Sequence, residues 1–409
     1  MIYDIAVIGG GAAGLFAAIT AKRKNSNLNI VVIEALDRVG KKLITTGNGQ
    51  CNITNKNLLP EFFHSETPNA INNTLQKFTL TNTLQSFSSM GVEIVFEENG
   101  RGYPASYQAG SVVDALRFTA EEIGVEIITG VKINSFKKKE NYILYSEKDS
   151  FESKKVIFAC GLFSGGNKLG STGDTYRLFK ELGYETVKVT PSLVQIKTET
   201  NIVKQLKGIK VDALATLRIN NNPVKSYFGE VLFTDYGLSG PAILAISRES
   251  ARKGGSVDIS LDLMENVDDS LLKERLNERK IILKNRSSGE FLTGMINKRL
   301  GQVLLKLSGV SLNGLVGEIT DQEITQLVSH IKKFSFSVTG NTGFNNSQVT
   351  AGGISLNEVK ETFESKKHSG LYLIGEMLDV DGDCGGYNLQ WAWSSAAIAA
   401  NSAVSEFKL

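Results

Sequence analysis

Residues 2 to 24, IYDIAVIGGGAAGLFAAITAKRK, constrain this chain more than any other stretch. Ile5, Val7 and Ile8 form an apolar run that ends in Gly9-x-Gly11-x-x-Gly14, after which Leu15, Ala18 and Ile19 recur at helical spacing. The pattern predicts strand, tight turn and helix. Gly9 makes the turn, Gly11 lets the backbone approach a pyrophosphate, and Gly14 lets the helix pack close to the strand. Ala12 and Ala13 then open a helix whose free N–H groups and dipole favour phosphate. A second apolar run, IVVIE at residues 30 to 34, ends in Glu34, twenty positions after Gly14, where a carboxylate can accept from ribose hydroxyls. By itself this unit serves NAD and FAD alike.

At 409 residues the chain exceeds one typical core, so two or three domains are expected. An apolar content of 41% and a charged content of 22% describe an ordinary globular protein. The net charge of +2 is too mild for a nucleic-acid footprint, and Lys137 to Lys139 and Lys154-Lys155 read as solvated strand ends, so no nucleic-acid partner is expected. Cys51, Cys160 and Cys384 show no paired spacing, which suits a reducing compartment. His64, His330 and His368 lie far apart, and no metal is expected. The chain enters a strand at once, and its longest small-apolar run, Ala396 to Val404, is short for a membrane span. A cytoplasmic protein without a membrane partner is the expectation.

Along the chain, residues 35 to 55 form a loop dense in glycine, amide and basic groups. Arg38, Lys41 and Lys42 could offset cofactor charge there, Gly47 and Gly49 would permit close backbone approach, and Cys51 could be a redox thiol. Residues 69 to 89 read as helical, with Leu75, Phe78, Leu84 and Phe87 available for a buried stripe, and Val92 to Phe96 as a strand. The turn NGRGYPASYQAGS carries Arg101, Tyr103 and Ser106 as candidates to face a ligand. VEIITGVKI, NYILYS and KKVIFACG then predict an antiparallel meander returning to a parallel sheet. Gly161 to Asp174 is a second glycine-rich loop, but no second GxGxxG unit follows, so a separate NAD(P)H domain is not expected. From Pro191 to about Asp262 the texture is β-rich, with Pro241 placed to start a helix. Residues 268 to 307 and 323 to 332 read as helices, and FSFSV at 334 to 338 as a strand. The last segment restores the opening texture: a strand reaches Gly375-Glu376, and a small-residue helix starts near Asn388.

With these motifs in hand, the sequence resembles the bacterial FAD-dependent oxidoreductases that include aminoacetone oxidases and bile-acid or steroid double-bond reductases. The matching segments are GGGAAG, GKKLITTGNGQCNITN, GRGYPAS, GSTGD, FTDYGLSGPAIL, VTAGGI and GLYLIGEMLDVDGDCGGYNLQWAWSSA, in order along nearly the whole chain. The resemblance implies FAD, with NAD(P)H as a transient electron donor and a small-molecule substrate. It also implies an α/β fold: a Rossmann-like FAD domain with a parallel sheet and β-meander crossover, discontinuous, carrying an inserted β-barrel-like domain and helical cap. The expected boundaries are 1–190 with 346–409 for the FAD domain, 191–262 with 333–345 for the barrel, and 263–332 for the helices.

Carried over by position, the resemblance assigns Gly9, Gly11, Ala12, Ala13, Gly14 and Glu34 to the ADP half and Val131 to a backbone contact with adenine. Arg38, Lys42, Gly47, Gly49, Cys51, Asn52 and Gly161 fall near the flavin. Gly375 and Glu376 fall at the ribityl-pyrophosphate region, and Gly386, Tyr387, Asn388 and Leu389 at the pyrimidine end. Cys160-Gly161-Leu162 stands where relatives often have Thr-Gly-Gly, and Asp235 where some have His. Candidate proton donors are Tyr103, Tyr236 and Tyr387, with Cys51 as a candidate redox group. The leading function is NAD(P)H-dependent reduction of an activated C=C bond in a steroid-like or bile-acid-like molecule, hydride passing through flavin N5. Oxidation of a small amine or amino ketone such as aminoacetone by dioxygen is the alternative. From other classes come an RNA-binding or RNA-modifying flavoprotein and a redox sensor using Cys51.

Overall fold

The structure, a computed structural model, describes residues 1–252 and 254–407. The chain forms two units, Met1–Pro191 with Phe344–Leu409, and Ser192–Gly343.

In the first unit the strand Ile2–Ile8 is central because Ile5 to Ile8 are apolar on both faces, as a strand covered on both sides must be. It runs parallel to Ile30–Ile33 on one side and to Ser150–Phe158 on the other. The sheet order is Glu126–Ile128, Ile30–Ile33, Ile2–Ile8, Ser150–Phe158, Tyr142–Tyr145, Ser135–Lys138. Ser150–Phe158 has two successive neighbours on its far edge. Its first residues pair antiparallel with Tyr142–Tyr145, and Val156 to Phe158 pair parallel with Leu371–Leu373. The meander and the return of the distant C-terminal segment are therefore built on one strand.

Two local expectations change. VEIITGVKI is not one strand: Glu126–Ile128 ends the parallel sheet, Gly130 turns the chain at φ +74, and the next strand starts at Ser135. Residues 69 to 89 are two helices, Pro68–Lys77 and Leu80–Ser88. Thr79 stops the first and caps the second, its N–H donating to Asn82 Oδ1 at 2.9 Å.

The opening helix Ala12–Lys24 packs against the closing helix Tyr387–Ser405. Both are buried around most of their circumference, so neither carries a one-sided apolar stripe. Phe16, Phe87 and Trp393 form an aromatic cluster with centroids 5.1 to 5.9 Å apart. The buried indoles are satisfied: Trp391 Nε1 donates to Gly375 O at 3.1 Å and Trp393 Nε1 to Ile53 O at 3.0 Å. Those two bonds tie the closing helix to the strand end at Gly375 and to the loop before Thr54.

In the second unit six antiparallel strands close into a barrel, in the order Ile196–Thr198, Gly237–Ser239, Asn222–Phe233, Lys210–Ile219, Val257–Asp262, Phe334–Asn341. Ala213, Ala215 and Leu217 alternate inward, and the small residues leave room for the helix Pro241–Arg252, whose Ala242, Ile243 and Ile246 join the same core. The helices Asp269–Ile282, Lys298–Leu307 and Asp321–Lys332 share that core with the barrel. The fold is the expected class: a discontinuous Rossmann-like unit plus a closed barrel with helices. Among the described residues no helix is long and apolar enough to cross a membrane.

Candidate functional site

The glycines of the opening turn divide by what surrounds them. Gly9 adopts φ +103, and a Cβ there would lie 2.7 Å from Ala159 O. A Cβ on Gly14 would lie 1.9 Å from Gly9 O, so helix and strand touch backbone to backbone. A Cβ on Gly11 would meet nothing within 4 Å. Gly11 thus opens onto free space at the N-terminus of Ala12–Lys24, where no side chain caps the helix.

Glu34 sits at the end of its strand, its two oxygens accepting from Gly10 N at 2.7 Å and Leu36 N at 2.8 Å. It holds the turn as well as lying where a ribose was expected. Val131 donates its N–H to Glu34 O at 3.0 Å, so that donor is committed within the protein. Arg38 is exposed.

The polar centre of this unit joins three distant segments. Lys42 ion-pairs with Glu376 and hydrogen-bonds Ser164 Oγ. Ser164 Oγ donates to the other Glu376 oxygen, which also accepts from Thr350 N at 3.0 Å. Thr350 Oγ1 in turn accepts from Ser164 N at 3.0 Å. Gly161, at φ +63, opens toward this group: a Cβ there would have only Glu376 Oε2 nearby, at 3.9 Å. Gly375, at φ +66, hands the chain from its strand to Glu376 and donates to Ser395 Oγ at 3.0 Å.

The loop after Lys42 is clamped to the start of the closing helix. Gly47 and Asn48 take left-handed conformations, and Cys51 N closes the turn on Thr46 O at 3.0 Å. A Cβ on Gly49 would meet nothing within 4 Å. With its amide oriented to satisfy both groups, Asn52 donates to Thr54 O at 2.9 Å and accepts from Gly386 N at 3.2 Å. Asn55 Nδ2 donates to Gly385 O at 2.8 Å, and Thr54 Oγ1 to Gln390 Oε1 at 2.6 Å. Gly386 adopts φ +95, and a Cβ there would fall 2.4 Å from Thr54 O. Asn388 brackets Gly382, accepting from its N–H and donating to its carbonyl, both at 2.8 Å. Leu389 is half-buried against the core.

The candidate proton donors separate. Tyr387 is 5% exposed, stacks on Phe62 at 4.8 Å and meets Phe63 edge-on, which is a packing arrangement. Tyr236 lies in a turn of the second unit, its carbonyl accepting from Thr198 N at 3.1 Å. Tyr103 is buried beside Arg101, and burial raises its phenol pKa. Cys51 is fully buried, and desolvation pushes its thiol up to about 12, which leaves almost no thiolate for redox chemistry near neutral pH. Sequence reasoning passed over Ser164, Thr350, Thr54 and Asn55, and the pair of His64 Nε2 with Asp383 Oδ1 at 2.8 Å. Their only mark in the sequence is position: each is a polar residue beside a glycine loop or strand end that the fold brings together.

This architecture is that of a two-unit Rossmann-type flavoenzyme. The chain belongs to the family described as "HI0933-like protein Rossmann domain", matched over residues 3–402, and is an FAD-dependent oxidoreductase. It is 34% identical to the 3-dehydro-bile acid delta(4,6)-reductase of Clostridium scindens over 404 residues, 98% of each chain. It is 30% identical to the ribosomal RNA dihydrouridine synthase of Escherichia coli over 402 residues, 96% of each chain. The protein of that name from Haemophilus influenzae is 28% identical over 97% of each chain. Among solved structures, the 3-ketosteroid delta1-dehydrogenase of Sterolibacterium denitrificans shares the fold with a TM-score of 0.51 at 12% identity, covering 99% of this chain and 100% of that one.

Proposed function

We propose that this chain reduces a C=C bond conjugated to a carbonyl in a steroid-like or bile-acid-like molecule, with NADH or NADPH as the electron source. The observation that carries this reading is the full-length likeness to a bile-acid delta(4,6)-reductase, on a chain whose first unit leaves the space at Gly11 open and gathers Lys42, Ser164 and Glu376 into one polar group. When bound, FAD supplies two-electron hydride transfer.

In this reading Gly11, Ala12 and Ala13 offer the pyrophosphate the open N-terminus of the helix, while Gly9 and Gly14 let strand, turn and helix pack closely enough to form that cradle. Glu34 fixes the turn and faces the adenosine ribose. Lys42, Ser164 and Glu376 offer donors and acceptors to the polar middle of the cofactor, with Gly161 and Gly375 keeping side chains out of its way. Asn52, Gly386, Asn388 and Leu389 present the N-terminus of the closing helix, whose positive end favours negative charge on an electron-rich ring. Arg38, Gly47, Gly49 and Val131 are assigned to the cofactor's edge, and Cys51 and Tyr387 to the walls behind it. The test is anaerobic: NADH or NADPH should bleach the yellow protein, and a 3-oxo-4,6-diene bile acid should restore its colour. No bleaching, together with turnover of aminoacetone and dioxygen, would favour the oxidase instead.

A second reading, reduction of a uridine in ribosomal RNA, is favoured by the two dihydrouridine synthases matched over nearly their whole length. Charge also divides unevenly: Ser192–Gly343 holds 20 basic and 16 acidic residues, net +4, leaving net −2 on the rest. Incubating unmodified ribosomal RNA with reduced enzyme and finding no dihydrouridine by nucleoside mass spectrometry would remove this reading.

A further inference from the structure

The helix Asp269–Ile282 buries Leu272 and Leu276 in the core of the second unit, and Leu283, just past its end, turns into the same core. Ile281 and Ile282 do the opposite. They close the helix with 73% and 77% of their surfaces exposed, more than any other large apolar residue among those described except Met1. The segment that carries Leu315, itself 46% exposed, runs alongside the residues that follow the helix. Ser287 and Leu315 form a β-bridge, Val316 N donates to Arg286 O at 2.9 Å, and Gly317 N donates to Lys284 O at 3.0 Å.

Positive charge surrounds this helix end. Lys280, Lys284 and Arg286 make no ion pair among the described residues. Arg279 donates to the carbonyls of Phe291 and Thr293, and burial together with the nearby Arg286 lowers its pKa. Two carboxylates stand against these four cations: Glu278, one turn back along the helix, and Glu318, which accepts from Leu315 N at 3.0 Å. Glu290, which also feels Arg286, is paired with Lys298 at 2.7 Å.

We propose that this helix end docks on an anionic lipid bilayer, Ile281 and Ile282 entering the acyl boundary while Lys280, Lys284 and Arg286 lie among the phosphates. Long basic side chains suit that depth because their methylenes can be buried while the charge stays at the headgroups. Contact of this kind lies on the surface and needs no spanning helix, of which the described residues hold none. Other occupants fit the charge and the area less well. A second copy docked about a twofold axis would press the same cations together. A stable protein interface takes about 800 Å² from each partner, whereas the apolar part here is three side chains. RNA would meet the cations, but isoleucine offers its bases neither a stacking face nor a hydrogen bond. Docking on a bilayer is independent of which substrate the enzyme reduces.

The experiment sediments holoenzyme with vesicles of phosphatidylcholine alone and of phosphatidylcholine mixed with phosphatidylglycerol. Wild type should bind the anionic vesicles at least about tenfold more tightly than the neutral ones, and about 0.5 M salt should remove most of that difference. Ile281→Ser/Ile282→Ser and Lys280→Glu/Lys284→Glu should each weaken binding by roughly tenfold or more, with the melting temperature and flavin spectrum unchanged because these side chains pack against little. As a second readout, Ile282→Trp should shift its emission to the blue when anionic vesicles are added. Wild type that sediments with neither vesicle overturns the proposal. So does an Ile281→Ser/Ile282→Ser protein that binds like wild type, since adsorption by charge alone needs no apolar anchor. Dimerisation lost in that variant, or RNA retention lost in Lys280→Glu/Lys284→Glu, without vesicle binding by wild type, gives the patch to another occupant and overturns it as well.

Discussion

Gly11→Ala and Gly14→Ala put the same methyl three residues apart, and the structure assigns them opposite consequences. At Gly14 the new Cβ would sit 1.9 Å from Gly9 O. Both partners are backbone, so relief requires the helix to move off the strand by about an ångström. Alanine's better helix propensity returns about 1 kcal/mol, but overpacking of this kind costs about 1–3 kcal/mol or more, so the net effect is destabilising. A loss of that size lowers the melting temperature by about 2–4 °C per kcal/mol in a unit of this size. At Gly11 the Cβ meets nothing within 4 Å and the backbone is extended at φ −83, so alanine fits without strain. A weaker cap and a less flexible unfolded chain offset each other there to within about 1 kcal/mol. The assay is thermal melting of FAD-stripped protein beside fluorescence titration with FAD. Gly14→Ala should lower the apo melting temperature, whereas Gly11→Ala should leave it within about 2 °C and still weaken FAD binding, because the methyl enters the space proposed for the pyrophosphate. If Gly11→Ala binds FAD like wild type, or melts as low as Gly14→Ala, the division of the motif into packing and ligand glycines is refuted.

Glu376→Gln should weaken FAD binding at least several-fold, because it leaves the half-buried Lys42 ammonium without its counter-charge while preserving the acceptor for Thr350 N; isothermal titration of the apo protein reads this. Asp379 is buried, and desolvation raises its pKa to about 6 although Glu66 N and Ser65 Oγ donate to it. A carboxyl that holds its proton longer when folded loses stability as pH rises from its ordinary 3.8 to about 6 and regains none above, so Asp379→Asn should gain stability relative to wild type at pH 7.5 more than at pH 4 in urea melts. Cys51→Ser should leave flavin reduction and reoxidation rates unchanged in stopped flow, since the wild-type thiol is fully buried and protonated.

The opening strand, turn and helix were legible because their determinants are local: an apolar run, three glycines and a helical repeat lie within 23 consecutive residues. The second strand and Glu34 followed by the same logic, and so did Pro241 as the first residue of its helix. The helix boundary at Thr79 was missed although its signal is also local, a Thr followed three residues later by Asn82, whose side chain closes the cap. The break in VEIITGVKI was harder, because Gly130 is committed to a turn by its bond to Leu36 O, nearly a hundred residues earlier.

What the sequence alone determined is a dinucleotide-type turn and a distant segment of similar texture. Only the tertiary structure decided what those glycines and polar groups touch. Gly386 must be glycine because Thr54 O lies against it; Lys42, Ser164 and Glu376 meet although up to 334 positions separate them, and Arg101 reaches Cys384 across 283. None of these pairs is marked by spacing, because each joins loops, strand ends or short turns that lie far apart in the chain and meet only in the folded unit. Periodicity reports the neighbours a residue has along its own element; the chemistry of this site depends on neighbours supplied by others.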